Sequence, residues 1–338
     1  MTTIHDVATA AGVSISTVSY ALSGKRSVSP GTRKRIQRIS AELGYQPNAR
    51  ARAFARRRTS IIAVTEPLRA NTFTSAHMAF VLATAKAARR HEYDVLLLTQ
   101  EEAGGGLQRV TAAGTVDGII ILDVLTRDER VDLARSLQVP SVVVGVPAET
   151  SGLVCVDLDF AAVGRMAVQR LASAGHRRIA FLGHPAESYT AESSNFPPRL
   201  LAGVTRESER LGVEAELLTP DTSARAVRQE VTRLMSAPDR PTGLVLHGQE
   251  DQHTATLETL ADLGLEVPTD VSVISAAATF DTTVFTPSID AIPLVPERSC
   301  DRAVDLLIEQ IEGTLEPRLE LLSPRYVEHG SVAAPPAD

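Results

Sequence analysis

Apolar positions at the start of the chain recur with helical spacing, break at a glycine, and then recur. Ile4, Val7, Ala8 and Ala11 fall at i, i+3, i+4 and i+7, one stripe of a helix. Thr3 stands where a cap belongs, and Asp6, three residues on, completes a capping-box pattern. Gly12 allows the chain to reverse. Ser14 is placed to cap a second helix that turns Val18 and Leu22 inward and leaves Ile15, Ser16, Ser19 and Tyr20 outside. Ser29-Pro30 announces a third helix, with Ile36, Ile39 and Leu43 inside and Gly44 as its stop. Helix, glycine turn and helix is the helix-turn-helix pattern, whose second helix enters the DNA major groove. An ordinary helical hairpin shares that spacing.

From Ser60 the pattern changes to short apolar runs alternating with amphipathic stretches. Ile61–Thr65, Val95–Thr99, Gly118–Leu122 and Ser141–Val144 suit buried parallel strands, with helices near 76–90, 106–113 and 128–137 between them. The alternation begins again with helix 160–174, strand Arg178–Leu182, helix 199–211 and a strand near 215–218. Helix 222–236, strand Leu244–Leu246, helix 251–263 and strand Val271–Ser275 complete it. A last helix at 297–312 and strands near 319–328 would cross back between the two runs. Two βαβαβ runs predict two doubly wound subdomains with a cleft beyond the carboxyl ends of their strands.

Charge separates the two readings of the head. The net charge of −7 hides a division: residues 1–59 hold eleven Lys/Arg against Asp6 and Glu42, a net +9, which leaves −16 for the rest. A basic head on an acidic body points to a polyanion partner. Residues 45–59, YQPNARARAFARRRT, are too basic and too poor in apolar positions to fold alone, but suit a segment that orders on DNA. No apolar run approaches the roughly 20 residues a membrane span needs, and no basic-then-apolar leader opens the chain, so the expected location is the cytoplasm. Cys155 and Cys300 lack metal-ligand spacing and read as buried thiols.

Chemistry is sparse. No phosphate-cradling glycine motif follows a strand, no G-x-S-x-G elbow occurs, and His176, His184, His247 and His253 show no metal-binding spacing; they read mostly as capping or core-edge residues. No cofactor, metal or catalytic residue is expected, and the chain does not read as an enzyme.

The stretches TIHDVATAAGVSISTVSYALSG, VSPGTRKRI, LGYQPNARARAF, VDGIII, AGHRRIAFLG and GLEVPTDVSVIS together resemble the lactose-repressor (LacI/GalR-type) family of bacterial transcription regulators over essentially the whole chain. The resemblance implies an all-α helix-turn-helix DNA-binding head at 1–46, a hinge at 47–59, and a core at 60–338. That core would be α/β, two doubly wound parallel-sheet subdomains like a periplasmic binding protein. One subdomain would cover about 60–158 and 291–318, the other about 159–290 and 319–334. It also implies a homodimer on pseudo-palindromic double-stranded operator DNA and a small effector, typically a sugar.

Carried over position by position, the resemblance gives a DNA-contacting set of Thr3, Ser14, Ile15, Ser16, Thr17, Ser19, Tyr20, Ser23, Lys25, Ser27, Asn48, Ala51, Arg52 and Phe54. Ser14, Thr17 and Ser19 would meet phosphates, which fix register. Ile15, Ser16 and Tyr20 would face bases, Ile15 against a thymine methyl. Relatives often place Arg where Tyr20 stands, so the base preference there should differ. Phe54 replaces a Leu that wedges into the minor groove.

The implied effector set is Phe73, Asp123, Phe160, Tyr189, Phe196, Arg199, Gln249 and Ala277. Arg199 would bind sugar hydroxyls. Ala277 and its neighbours stand where relatives carry an acid. The loss of polar partners suggests, in order, a glycoside or oligosaccharide held by stacking, a non-sugar effector or corepressor, or a lost response. His184, Glu187 and Asn195, in the segment His184–Pro198, would supply replacement contacts. A solute-binding protein of a transporter shares this core and is the more distant alternative.

Overall fold

The computed structural model describes residues 2–23, 28–45, 58–67, 74–99, 103–137, 139–190, 193–313 and 315–336. The chain divides into two compact units at Ser60. In the first, helices α1 (Ile4–Ala11), α2 (Ile15–Ser23) and α3 (Pro30–Glu42) enclose a small core of Val7, Ala8, Ala11, Val18, Ala21, Ile36 and Ile39. Helices this short are marginal alone, so their ends matter. The Asp6 carboxylate accepts from the Thr3 amide at 2.8 Å, while Thr3 Oγ1 accepts from the Asp6 amide at 3.4 Å. Gly12 ends α1 at φ 61°. Ser14 Oγ accepts from the Thr17 amide at 3.1 Å, and Ser29 Oγ from the Thr32 amide at 3.3 Å. Each such cap contributes about 1 kcal/mol.

The second unit carries two parallel sheets. Its first part runs β1 (Ile61–Thr65), α4 (Thr74–Arg90), β2 (Asp94–Leu98), α5 (Ala103–Ala112), β3 (Gly118–Ile121), α6 (Glu129–Ser136), β4 (Ser141–Val144) and β5 (Val154–Leu158). Then come α7 (Phe160–Ala174), β6 (Arg178–Leu182), α8 (Phe196–Leu211), β7 (Glu214–Leu218), α9 (Ala224–Met235), β8 (Gly243–Leu246), α10 (Glu250–Asp262) and β9 (Ser272–Ala276). The chain ends with β10 (Asp290–Ile292), α11 (Pro296–Ile311) and β11 (Arg318–Leu322). The first sheet has order β11-β5-β4-β3-β1-β2, the second β10-β9-β8-β6-β7. Apolar clusters lie on both faces of each sheet, so the central strands read as unbroken apolar runs. No described helix is long and apolar enough to cross a membrane.

The chain passes between the subdomains after β5, after β10 and after β11. Two expected boundaries shift as a result. β10 pairs β9, so the break expected at 290–291 falls after Ile292. β11 pairs β5, so the return expected at 318–319 falls after Leu322. Neither strand carries a strong pattern: β10 is three residues with a buried acid, and β11 is an edge strand with Leu319 and Leu321 exposed. The returning tail is held on the second sheet by Asp290, whose Oδ1 accepts from the amides of His329, Gly330 and Ser331 at 2.7–3.0 Å and whose Oδ2 accepts from Tyr326 at 2.6 Å.

Helices α7 and α8 approach closely enough to touch backbones. A methyl at Gly203 would run into the Ala161 carbonyl, and one at Gly164 into the Leu200 carbonyl. This contact sets where Phe160, Phe196 and Arg199, at the starts of those helices, project.

Candidate functional site

A cavity of about 170 Å³ lies between the two subdomains at the carboxyl ends of the strands, where ligands of doubly wound sheets sit. The first wall is acidic. Glu66 directly follows β1, Asp123 lies two residues past β3, and Asp157 is in β5; all three line the cavity. Glu66 is almost fully buried, and its Oε1 lies 2.6 Å from Nδ1 of His77 on α4. Burial holds its carboxyl above the ordinary range, with the His77 hydrogen bond opposing. Asp123 sits at φ 46°, an uncommon conformation for a residue with a side chain, and accepts from Ser194 Oγ at 3.2 Å.

Two arginines stand behind this wall. Arg130 grips both oxygens of Asp128 and donates to Thr65 Oγ1 and to the Leu122 and Asp123 carbonyls, fixing the loop after β3. Arg199 reaches across from α8 to Asp157 Oδ2 at 2.5 Å and to the Leu158 carbonyl at 3.0 Å, with its guanidinium 5.5 Å from the Phe160 ring. Burial pushes Asp157 up to about 6, with Arg199 opposing.

The second wall is neutral and aromatic. Phe160 and Phe196 lie 5.3 Å apart, centre to centre. His184 stands edge-on to His247 at 4.4 Å and to Phe196 at 5.7 Å. Burial pushes His184 down to about 4 and His247 well below its ordinary value. Nδ1 of His247 is buried and makes no hydrogen bond. Gln249 caps α10 and Ala277, at φ 57°, completes the wall.

The segment 193–195 of the second subdomain straps the first. Thr126 donates its amide (2.9 Å) and hydroxyl (3.0 Å) to the Ser193 carbonyl, Leu125 and Ser194 form an antiparallel bridge, and Asn195 Nδ2 donates to the Val146 carbonyl at 2.6 Å.

Of the expected effector residues, Asp123, Phe160, Phe196, Gln249 and Ala277 meet at this cavity. Two do not line it. Arg199 spends its guanidinium on the Asp157 pair rather than on the opening. Tyr189 is turned behind Gly183, where its hydroxyl accepts from the His184 amide at 3.1 Å. Phe73 lies outside the described residues. Asn195 lines the cavity as expected, whereas Glu187 is exposed elsewhere.

Glu66, His77, Asp157 and His247 were not expected at the site. His247 reads as core-edge in sequence but faces the cavity, because it directly follows β8. His176 and His253, read as capping or core-edge residues, are fully buried: His176 bonds Thr242 and Ser272, and His253 bonds the Gln249 carbonyl and Ser275. Position just past a buried strand is the one signal that would have found Glu66 and His247. One side-chain atom each of Glu66, His77 and Asp123 lie within 4.8 Å of one another. A cation shared there through Glu66 Oε1 and His77 Nδ1 would displace the hydrogen bond between them.

In the head, Ile15 is 44% exposed, Ser14, Ser16 and Ser19 are exposed, and Thr17 and Tyr20 are half-buried on the same helix. The Ser14 and Thr17 hydroxyls lie 2.8 Å apart. Thr3 is exposed at the start of α1. Lys25, Ser27, Asn48, Ala51, Arg52 and Phe54, and the side chain of Ser23, lie outside the described residues.

Comparison with known proteins places both units. A family model described as bacterial regulatory proteins, lacI family, matches residues 3–48. One described as periplasmic binding proteins and sugar binding domain of LacI family matches 64–195, and a periplasmic binding protein-like domain matches 168–332. The HTH-type transcriptional regulator CelR of Thermobifida fusca is 31% identical over 339 residues, covering 93% of this chain and 94% of that one. The ribose operon repressor of Escherichia coli is 28% identical over 98% of this chain and all of that one. Among solved structures, a CelR–cellobiose complex matches 98% of this chain and 100% of its own at 26% identity and TM-score 0.67. The lac repressor dimer bound to operator and the anti-inducer ONPF matches 98% and 99% at 24% identity and TM-score 0.81.

Proposed function

We infer, from the premise that this chain belongs to the lacI family of bacterial regulatory proteins, that it is a sequence-specific, sugar-responsive regulator of carbohydrate-utilisation genes. Its finer role, in our reading, is a homodimeric repressor that a glycoside or oligosaccharide inducer releases from a pseudo-palindromic operator. The observation that carries this is the pairing of a capped helix-turn-helix with an exposed outer α2 face and a two-walled cleft at the strand ends. Phosphate contacts supply most of the affinity and a steep salt dependence. The cleft serves binding rather than turnover.

The experiment uses the full chain on its own upstream DNA with a panel of mono- and disaccharides. Release by at least one sugar is expected; if none acts, the carbohydrate reading falls. Removing residues 1–59 should abolish DNA binding and leave a folded core, and retained binding would sink the assignment. Within the head, Tyr20→Ala should change which operator is preferred, whereas Thr17→Ala should weaken all sequences alike. Equal losses on every sequence for both variants would refute that division.

A further inference from the structure

We propose that this cleft selects an uncharged polyhydroxylated ring and rejects sugars carrying a phosphate or carboxylate, and that His247 reads the ring's hydroxyls. This rests on the sugar-effector reading above and narrows it to a chemical class.

Charge on the first wall is the first support. Three carboxylates line the cavity, and no described lining residue is Lys or Arg. The two guanidiniums described beside it are committed elsewhere: Arg130 to Asp128, Thr65 and the carbonyls of Leu122 and Asp123, and Arg199 to Asp157 and the Leu158 carbonyl. An anionic ligand would meet Asp123, and Glu66 with its single His77 partner, in a partly desolvated site, where like charges repel strongly. A hydroxyl, which donates, suits those oxygens.

The second support is the opposite wall. His247 is only 4% exposed, yet its Nδ1 has no hydrogen-bond partner. A buried polar atom left unpaired costs about 1–3 kcal/mol, and such atoms call for an explanation. His247 lines both the main cavity and a small second one of about 10 Å³ behind it. The rings around it, Phe181 at 6.0 Å, Phe196 at 5.8 Å and His184 at 4.4 Å, supply no donor or acceptor to Nδ1. A neutral imidazole carries its donor and its acceptor on different nitrogens, so one nitrogen makes one bond, and a hydroxyl, which can give or take, satisfies either tautomer. A phosphate oxygen accepts and is bound most strongly by an imidazolium, and burial together with the neighbouring His184 opposes that charge. Phe160 and Phe196 then offer flat apolar surface to the carbon face of a pyranose.

The test is calorimetric titration of the full chain with glucose, cellobiose, maltose and lactose, and with glucose 6-phosphate, maltose 6′-phosphate and cellobionate as the anionic probes. At least one neutral sugar should bind, and every anionic probe should bind at least about 100-fold more weakly than the tightest neutral one. His247→Phe, which keeps ring volume, should weaken that neutral sugar about 10- to 100-fold. The double variant Glu66→Gln with Asp123→Asn should narrow the neutral-to-anionic ratio, a change that a merely structural role would not produce. Tighter binding of an anionic probe, or wild-type affinity in His247→Phe, overturns the proposal while the carbohydrate reading stands. Should no sugar of either kind bind, the carbohydrate reading fails and this inference with it.

Discussion

The two halves of the core share one architecture and part company at the ends of their strands. Both are parallel sheets with buried central strands, Gly118–Ile121 in one and Gly243–Leu246 in the other, and both put their polar groups just beyond the carboxyl ends. The first half places Glu66 and Asp123 there, with Asp157 near the end of β5; its own His77 and, from the second half, Ser194 and Arg199 steady them. The second places His184, His247 and Gln249 there among Phe160 and Phe196. The strand interiors do the same work in each half, so apolar residues there are interchangeable in kind. The few positions past the strand ends are not, and they make one wall acidic and the other neutral.

The largest effect should come from the one ion pair among the described residues that joins the halves. Arg199→Ala leaves Asp157 buried without its partner, and breaking such a pair costs about 3–5 kcal/mol. Urea denaturation of the full chain should show that loss in the core transition, with Arg199→Lys recovering part of it. A loss near the surface-pair level of about 0.5 kcal/mol would mean that the two walls are not coupled through this pair.

Acidification should act on the halves with opposite sign. Burial pushes His184 and His253 down to about 4, below the 6.5 of an unfolded imidazole. Their contribution is therefore complete above about pH 6.5 and is lost as pH falls toward 4, because the unfolded chain takes up protons that the fold refuses. For the fully buried His253 the loss is on the order of 3 kcal/mol by pH 4. Asp157 is raised to about 6, so its cost is present above that pH and relaxes below it, partly offsetting the histidines. Unfolding free energies from pH 7 to 4 should fall less steeply in His253→Gln than in the wild type. An identical slope would remove the second half's histidines from the account.

These examples also mark what the sequence makes legible. The strands Ile61–Thr65, Ser141–Val144 and Arg178–Leu182 and the helix at 160–174 stand in the structure at their expected bounds, since buried runs and capped amphipathic stretches carry strong patterns. The helix expected from 199 begins at Phe196, because Pro197 and Pro198 are tolerated in a first turn. β5 was not expected, since Asp157 interrupts its apolar run, and the reason that acid is tolerated is Arg199, forty-two residues away. At the site, residues read from single positions fared unevenly. Phe160 and Phe196 meet, whereas Tyr189 turns away. His247 looks like core until the strand end places it. Pairwise tertiary geometry decides these cases, and no local pattern encodes it.

A more moderate effect tests how the second half aims its aromatic wall. Gly203→Ala should force α7 and α8 apart at the Ala161 carbonyl, costing about 1–3 kcal/mol as overpacking does. Because Phe160 and Phe196 begin those helices, sugar affinity should fall along with stability, while Gly105→Ala in the first half, with open space around it, should leave both unchanged. A stable Gly203→Ala protein with full affinity would show that the helix spacing does not set the wall.

The smallest effect lies where the halves touch across the opening. Ser194→Ala removes the hydroxyl that donates to Asp123, a bond whose net contribution is about 1 kcal/mol. The strap itself should survive, because its main hold is backbone: the Thr126 amide to the Ser193 carbonyl at 2.9 Å and the bridge between Leu125 and Ser194. Amide exchange of Thr126 should therefore speed up less than about tenfold. Removing the Asn195 bond to the Val146 carbonyl with Asn195→Ala should add a similar increment. If Ser194→Ala alone released the strap, so that Thr126 exchanged as in an open loop, the acidic wall rather than the backbone would be what closes this cleft, and the two halves would communicate through Asp123.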